Sequence, residues 1–179
     1  QGAYYAVLAI LPGISFYVTG TVNPTACRIA EEQVVWNPIT VANAAVNNNN
    51  LTKLNTIAWD GGAAAYNTVS NNGYLEFTAS DTNKSRLIGL SNTFGGLNFN
   101  NVQFGIWLEN NARIGIYESG VLRGHYGDYS ANDKFRVSVE SNTVKYYRNG
   151  TLFYTSAVVP VLPLLVLATL HDVGATANQ

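Results

Sequence analysis

From Trp36 onward, apolar and polar positions alternate in short runs, with turn-forming residues about every eight to twelve positions. Residues 73–79 set Leu75 and Phe77 against Tyr74, Glu76 and Thr78. Similar runs at 85–90, 102–108, 113–117, 121–126, 134–140, 143–148 and 151–155 predict further strands. Residues 163–170 carry enough Val and Leu for a strand buried on both faces. Only residues 28–33 leave room for a helical turn or two. Many short antiparallel strands in one domain-sized chain imply a sandwich or a barrel.

Turn chemistry fixes registers. Asn149-Gly150 has the signature of a type I′ hairpin, which needs positive φ at both central residues. A two-residue loop there pairs Tyr147 with Leu152 and Tyr146 with Phe153. Val144, Tyr146 and Phe153 then share one face, and Lys145, Tyr147 and Tyr154 the other. At Glu118-Ser119-Gly120 a three-residue loop with Gly120 in a bulge is expected, setting Ile116 beside Leu122 and Gly115 beside Arg123. A two-residue loop would turn Arg123 toward the face of Ile114 and Ile116, which burial disfavours. Ile106, Ile114, Ile116 and Leu122 are therefore expected in one core, with Trp107, Tyr117, Arg123 and His125 opposite. The four asparagines 47–50 read as an exposed turn, and residues 92–101, with Gly95-Gly96, as a longer loop.

Residues 3–18 form the most apolar stretch. It is too short for a confident membrane span, is interrupted by Pro12-Gly13, and lacks the basic leader of a secretory signal. Two readings fit. One is a buried strand pair turning at Pro12-Gly13. The other is a strand that completes the sheet of a neighbouring copy through Tyr4, Tyr5, Val7, Leu8, Ile10, Leu11, Ile14 and Phe16. A lipoprotein site at Pro24-Thr25-Ala26-Cys27 is disfavoured because Pro24 stands where such a site wants Leu. The economical division is an apolar extension over 1–33 and one domain over 34–179. The start at Gln1 reads as a mature end after signal-peptide removal, which places the chain outside the cell or on its surface. The single Cys27 allows no intrachain disulfide.

Composition sharpens this picture. Of 179 residues 47% are apolar and only 12% charged, against about 25% in an average soluble protein. That balance excludes a disordered chain. A net charge of −1 argues against a partner whose phosphates must be tracked, so no nucleic acid is expected. Asn, Thr, Ser and Gly supply most of the polarity, and neutral surfaces let identical copies approach closely.

The stretch from Trp36 to about Thr176 resembles small bacterial surface modules of the concanavalin A-like lectin/glucanase superfamily. The resemblance is carried by Val35-Trp36, Asn50-Leu51-Thr52-Lys53, Trp59-Asp60-Gly61-Gly62-Ala63 and Gly73-Tyr74-Leu75-Glu76-Phe77. It continues in Arg136-Val137-Ser138-Val139-Glu140 and in Val144-Lys145-Tyr146-Tyr147-Arg148-Asn149-Gly150-Thr151-Leu152-Phe153-Tyr154-Thr155-Ser156, the most specific segment. It implies an all-β jelly-roll sandwich of two curved antiparallel sheets, with the N-terminal extension outside it. It defines a fold better than an activity.

Glycanases of this superfamily place carboxylates two apart on a strand, so that both flank a glycosidic bond. None of the eleven acids here has another two positions away. Glu76 is the one centred in an aromatic strand, and such a lone carboxylate is more often paired with a cation than catalytic. No Gly-x-Ser-x-Gly elbow occurs, and the histidines are His125 and His171. No cofactor is expected. Calcium at Asp128, Asn132 and Asp133 competes with a turn stabilised by Asx hydrogen bonds, the favoured alternative. Eleven Tyr, three Trp and abundant Asn suit sugar recognition, since sugar rings stack on aromatic faces and amides bond hydroxyls. Trp107, Tyr117, Arg123 and His125, or Tyr147 and Tyr154, would form the stripe. Core packing and strand propensity explain the same aromatics.

Three expectations follow, in order. The first is a non-catalytic extracellular structural or adhesive subunit whose partners are copies of itself, assembled through the N-terminal segment. The second is a monomeric glycan-binding module, and the third a glycoside hydrolase.

Overall fold

The computed structural model describes residues 32–178, together with the backbone of two short N-terminal strands. The chain divides into two units, Gln1–Glu32 and Gln33–Gln179. In the first, β1 (Val7–Leu8) pairs antiparallel with β2 (Phe16–Tyr17), Val7 opposite Tyr17 and Leu8 opposite Phe16. The remaining assembly candidates, Tyr4, Tyr5, Ile10, Leu11 and Ile14, lie outside the described residues, as do Pro12-Gly13 and Cys27.

The second unit is an all-β sandwich. Its larger sheet has six strands in the order β10 (Val121–Asp128), β9 (Arg113–Glu118), β8 (Phe104–Leu108), β7 (Arg86–Ser91), β14 (Leu164–Leu170) and β5 (Gly61–Val69). Opposite it run β13 (Thr151–Thr155), β12 (Thr143–Arg148), β11 (Lys134–Glu140) and β6 (Gly73–Thr78). A bridge between Thr78 and Asn178 continues that layer into a three-stranded sheet of β15 (Thr176–Ala177), β4 (Asn50–Lys53) and β3 (Ala44–Asn47). Every pairing is antiparallel. Among the described residues no helix is long and apolar enough to cross a membrane.

Period-2 alternation explains the core. Ile88, Leu90, Phe104, Ile106, Leu108, Ile114 and Ile116 point inward from the larger sheet, and Leu75, Phe77, Phe135, Val137, Val139, Val144 and Tyr146 meet them from the other. β14 lies between β7 and β5 and is buried on both faces, as its unbroken apolar run requires. The asparagine run forms the β3–β4 turn, with Asn47 opposite Asn50.

Two registers differ from expectation. Val121 pairs with Glu118 and Leu122 with Tyr117, so the β9–β10 loop has two residues, Ser119 and Gly120, both at positive φ. The extra residue sits at Arg123, between Leu122 and Gly124. Leu122 therefore leaves the core and is 39% exposed, beside Tyr117 on the outer face. Arg123 turns toward the core edge and donates its Nε to Glu118 Oε2 at 3.0 Å. Burial does not oppose this, because Glu118 is itself buried there as a counter-charge.

At Asn149-Gly150 the two-residue turn pairs Tyr147 with Leu152 as expected, but Phe153 is bulged and Tyr146 faces Tyr154. The bulge shifts Tyr154 off the face of Tyr147. Its ring packs against Tyr146 and Tyr126, at centroid distances of 5.4 and 5.1 Å.

Candidate functional site: an aromatic depression on the larger sheet

The outer faces of the two layers differ in kind. On the four-stranded sheet Glu76 accepts Arg136 Nη2 at 2.7 Å, and the Arg136 guanidinium lies 3.9 Å from the centre of the Tyr74 ring. Glu140 accepts Lys145, Ser138 and the Tyr147 hydroxyl, each at 2.8 Å. These charge-assisted bonds hold Glu140 down to about 2, with Lys145 the largest contributor. Tyr147 and the carboxylate of Glu76 are thus parts of a solvated polar ladder.

The six-stranded sheet presents a second apolar cluster outward: Ala64, Leu87, Val102 and Leu167, flanked by Trp59, Leu97, Phe99, Trp107, Tyr117 and Leu165. One lateral row crosses it through Thr169, Leu87, Trp107 and Gly115. Gly115 makes this packing possible, since a Cβ there would lie 3.1 Å from Trp107 Cε3. Trp107 meets Tyr117 edge to face at 5.3 Å, and Tyr117 meets Phe99 likewise at 5.6 Å. Trp59 stands 5.6 Å from Phe99 and 5.0 Å from the His171 ring. Trp59, Leu87, Phe99, Trp107 and Tyr117 line a depression of about 60 Å³.

Two loops deliver the outer rings. Phe99 starts a 3-10 turn, Phe99–Asn101, capped by the Asn98 side chain, which accepts Asn100 N–H at 3.0 Å. Ser91 Oγ donates to Asn101 O at 2.8 Å and fastens that turn to β7. Trp59 arrives on the loop after β4. Lys53, with no exposed side-chain surface, donates to Asp60 and to Ala58 O, while Asn43 and Thr56 also bond Asp60. Lys53 is the main cause of the lowered Asp60 pKa. Ala58 N–H donates to His171 O at 3.2 Å, joining the loop to the end of β14.

Polar groups ring the depression. His125 Nε2 lies 2.7 Å from Glu109 Oε1, and its ring 6.5 Å from Trp107. His171 Nδ1 lies 2.7 Å from Asp172 Oδ1. Burial raises the Asp172 pKa, but Ser85 N–H, His171 and Asn110 outweigh it and hold it low. Trp107 Nε1 and Thr169 Oγ1 are buried with no hydrogen-bond partner among the described residues. Each is a polar group whose desolvation nothing among the described residues offsets.

Of the six sequence-derived glycan candidates, Trp107, Tyr117 and His125 come together. Arg123 is engaged with Glu118, Tyr147 lies on the other layer, and Tyr154 packs at the sandwich edge. Trp59, Phe99 and His171 complete the group without having been singled out. For Phe99 the signal is an aromatic within the Asn- and Gly-rich loop 92–101; Trp59 and His171 carry no such signal. The calcium candidates form a turn closed by a cation: Asp133 accepts Arg148 Nη2, Asn149 Nδ2 and Ser130 N–H at 2.7, 2.7 and 2.8 Å. Asn132 donates its N–H to Ala79 O, and the Asp128 carbonyl accepts Arg148. Among the described residues no three His, Cys, Asp or Glu side chains gather in a metal-holding group.

No family model and no curated protein matches the chain. Solved structures do. A crystal structure of the TRIM65 PSpry domain superposes with a TM-score of 0.66 at 15% identity, covering 90% of this chain and 97% of the other. The SPRY domain of human HERC1 gives 0.59 at 14% identity, covering 80% and 95%. Stonustoxin gives 0.64 at 6% identity over 81% of this chain and 28% of its own. At these identities the likeness concerns the fold: the chain is an all-β jelly-roll sandwich like that of SPRY domains, which is of the concanavalin A-like type.

Proposed function

We propose that this protein is a non-catalytic binding module of the cell surface that takes a sugar ring on the outer face of its six-stranded sheet. The observation that carries this reading is the depression walled by Trp59, Phe99, Trp107 and Tyr117. Aromatic rings accept the apolar face of a sugar. His125 and His171 stand beside Trp107 and Trp59 to bond hydroxyls. The carboxylates nearest the rings are engaged by His125 and His171, so they orient side chains rather than flank a glycosidic bond. A recess of about 60 Å³ admits the edge of one ring, which implies weak affinity per site.

Glycan-array screening with the protein displayed multivalently, followed by calorimetry, tests it. The wild type is expected to bind in the micromolar-to-millimolar range, with binding lost in Trp107→Ala and retained in Tyr147→Ala. An array without hits, or binding indifferent to Trp107, overturns the reading.

A second reading, self-assembly into a surface filament or array, draws on one feature. The first 27 residues carry no charged side chain. The two are compatible, because a polymer of weak lectins gains avidity.

A further inference from the structure

An edge strand presents unpaired N–H and C=O groups to any chain able to pair with them. In this sandwich the edges are treated unequally. Beside β5 the chain covers itself: Tyr66 N–H donates to Val35 O at 2.9 Å, and Gly62 and Ala42 exchange bonds at 3.0 and 3.1 Å. β10 is interrupted by two register shifts and carries Arg123, His125 and Asp128. β3 has four residues. β13 is the outermost strand of its sheet and has a single register shift.

No charged side chain occurs between Arg148 and His171. Within that run Leu152, Val159 and Val161 are 46%, 65% and 62% exposed. Ser156 N–H is donated inward to Val144 O at 2.9 Å, so alternation turns the Thr155 N–H and C=O outward. β13 thus offers a pairing edge without the charges that ordinarily blunt one.

The same chain contains a matching uncharged segment. Residues 3–18 are uncharged, and β1 and β2 are extended backbone already engaged in antiparallel pairing. We infer that β13 is the acceptor edge for residues 3–18 of a second copy, which extends the four-stranded sheet across the interface. This rests on the self-assembly reading above. Main-chain bonds supply the affinity, and neither partner brings a charge that must be desolvated. The assembly is accordingly insensitive to salt.

The test is size-exclusion chromatography with light scattering, and negative-stain microscopy, on the full chain and three variants. Leu152→Lys adds charge at the edge, Thr155→Pro removes an outward N–H, and Leu8→Lys charges the donor. Circular dichroism confirms that each variant is folded, and Leu152, being half exposed, tolerates lysine. The expected result is a wild-type assembly that survives high salt and dissociates in all three. A monomeric wild type overturns both the inference and the self-assembly reading. Assembly that persists in both β13 variants but dissociates in Leu8→Lys keeps self-assembly and overturns β13 as acceptor. Dissociation in the β13 variants alone overturns residues 3–18 as donor and leaves β13 pairing with its own copy.

Discussion

The Tyr146 hydroxyl on β12 donates to Glu118 Oε1 on β9 at 3.0 Å, a polar bond from one layer of the sandwich to the other. Glu118 is 1% exposed, and its second oxygen accepts Arg123 Nε. Burial, then the Glu118 charge, pushes the Tyr146 hydroxyl well above its ordinary 10.0. A raised folded-state pKa means stability that is whole below the unfolded value and lost as pH rises past it. Urea titrations should therefore show stability falling above about pH 10 in the wild type and less steeply in Tyr146→Phe. At neutral pH Tyr146→Phe is expected to cost about 1–3 kcal/mol, since a buried carboxylate oxygen loses its donor.

Gly115 sets the position of Trp107. A Cβ there would press on Trp107 Cε3 at 3.1 Å, while the next nearest atom, Leu122 Cδ1, is 3.5 Å away. Gly115→Val is expected to displace the indole and weaken glycan binding at least tenfold. Its circular dichroism should match the wild type, because the strand position has ordinary backbone conformation. Calorimetry paired with intrinsic tryptophan fluorescence checks both.

The buried Lys53 and the half-exposed Asp60 make an asymmetric pair. Asp60→Asn leaves a buried ammonium without its counter-charge and is expected to cost about 3 kcal/mol. Lys53→Met keeps the packing, frees a carboxylate that water reaches, and is expected to cost about 1 kcal/mol or less. Both should loosen the loop bearing Trp59, seen as faster amide exchange over residues 54–60. Equal costs would show that burial does not govern the pair.

Glu140 provides a titration test. Its pKa is held at about 2 against an ordinary 4.5. A depressed folded-state value means stabilisation that is complete above the unfolded pKa and lost as pH falls from about 4.5 to about 2. Carboxyl resonances followed by NMR should place the Glu140 midpoint near that value, and Tyr147→Phe should raise it, since one of its three hydrogen-bond donors is gone. An unchanged midpoint would remove Tyr147 from the network.

The strands from Gly73 to Thr155 were legible because alternation has a strict period, and a core on one face enforces it, while β14 was legible from its unbroken apolar run. β5 was not, since Gly61-Gly62-Ala63-Ala64-Ala65 has no large side chains to alternate. The two bulges were equally hidden. A bulge depends on what the displaced residue finds, and Arg123 finds a buried Glu118 that local patterning places on no particular side.

Half of the candidate site was readable in the same way. Trp107 and Tyr117 follow from counting outward positions along β8 and β9. Trp59, Phe99 and His171 do not, because loops have no period. Their place depends on Lys53 gripping Asp60, on the Asn98 cap, and on the Ala58–His171 bond, which link residues far apart in sequence.

By itself the sequence determined an all-β sandwich or barrel, most of its inward-facing residues and most of its turns, because these depend on spacing and on which residues tolerate positive φ. Tertiary structure alone decided that one outer face is a charged ladder and the other an aromatic depression. That outcome depends on which strands neighbour one another and on which loops fold over them. Spacing along a chain carries no information about either.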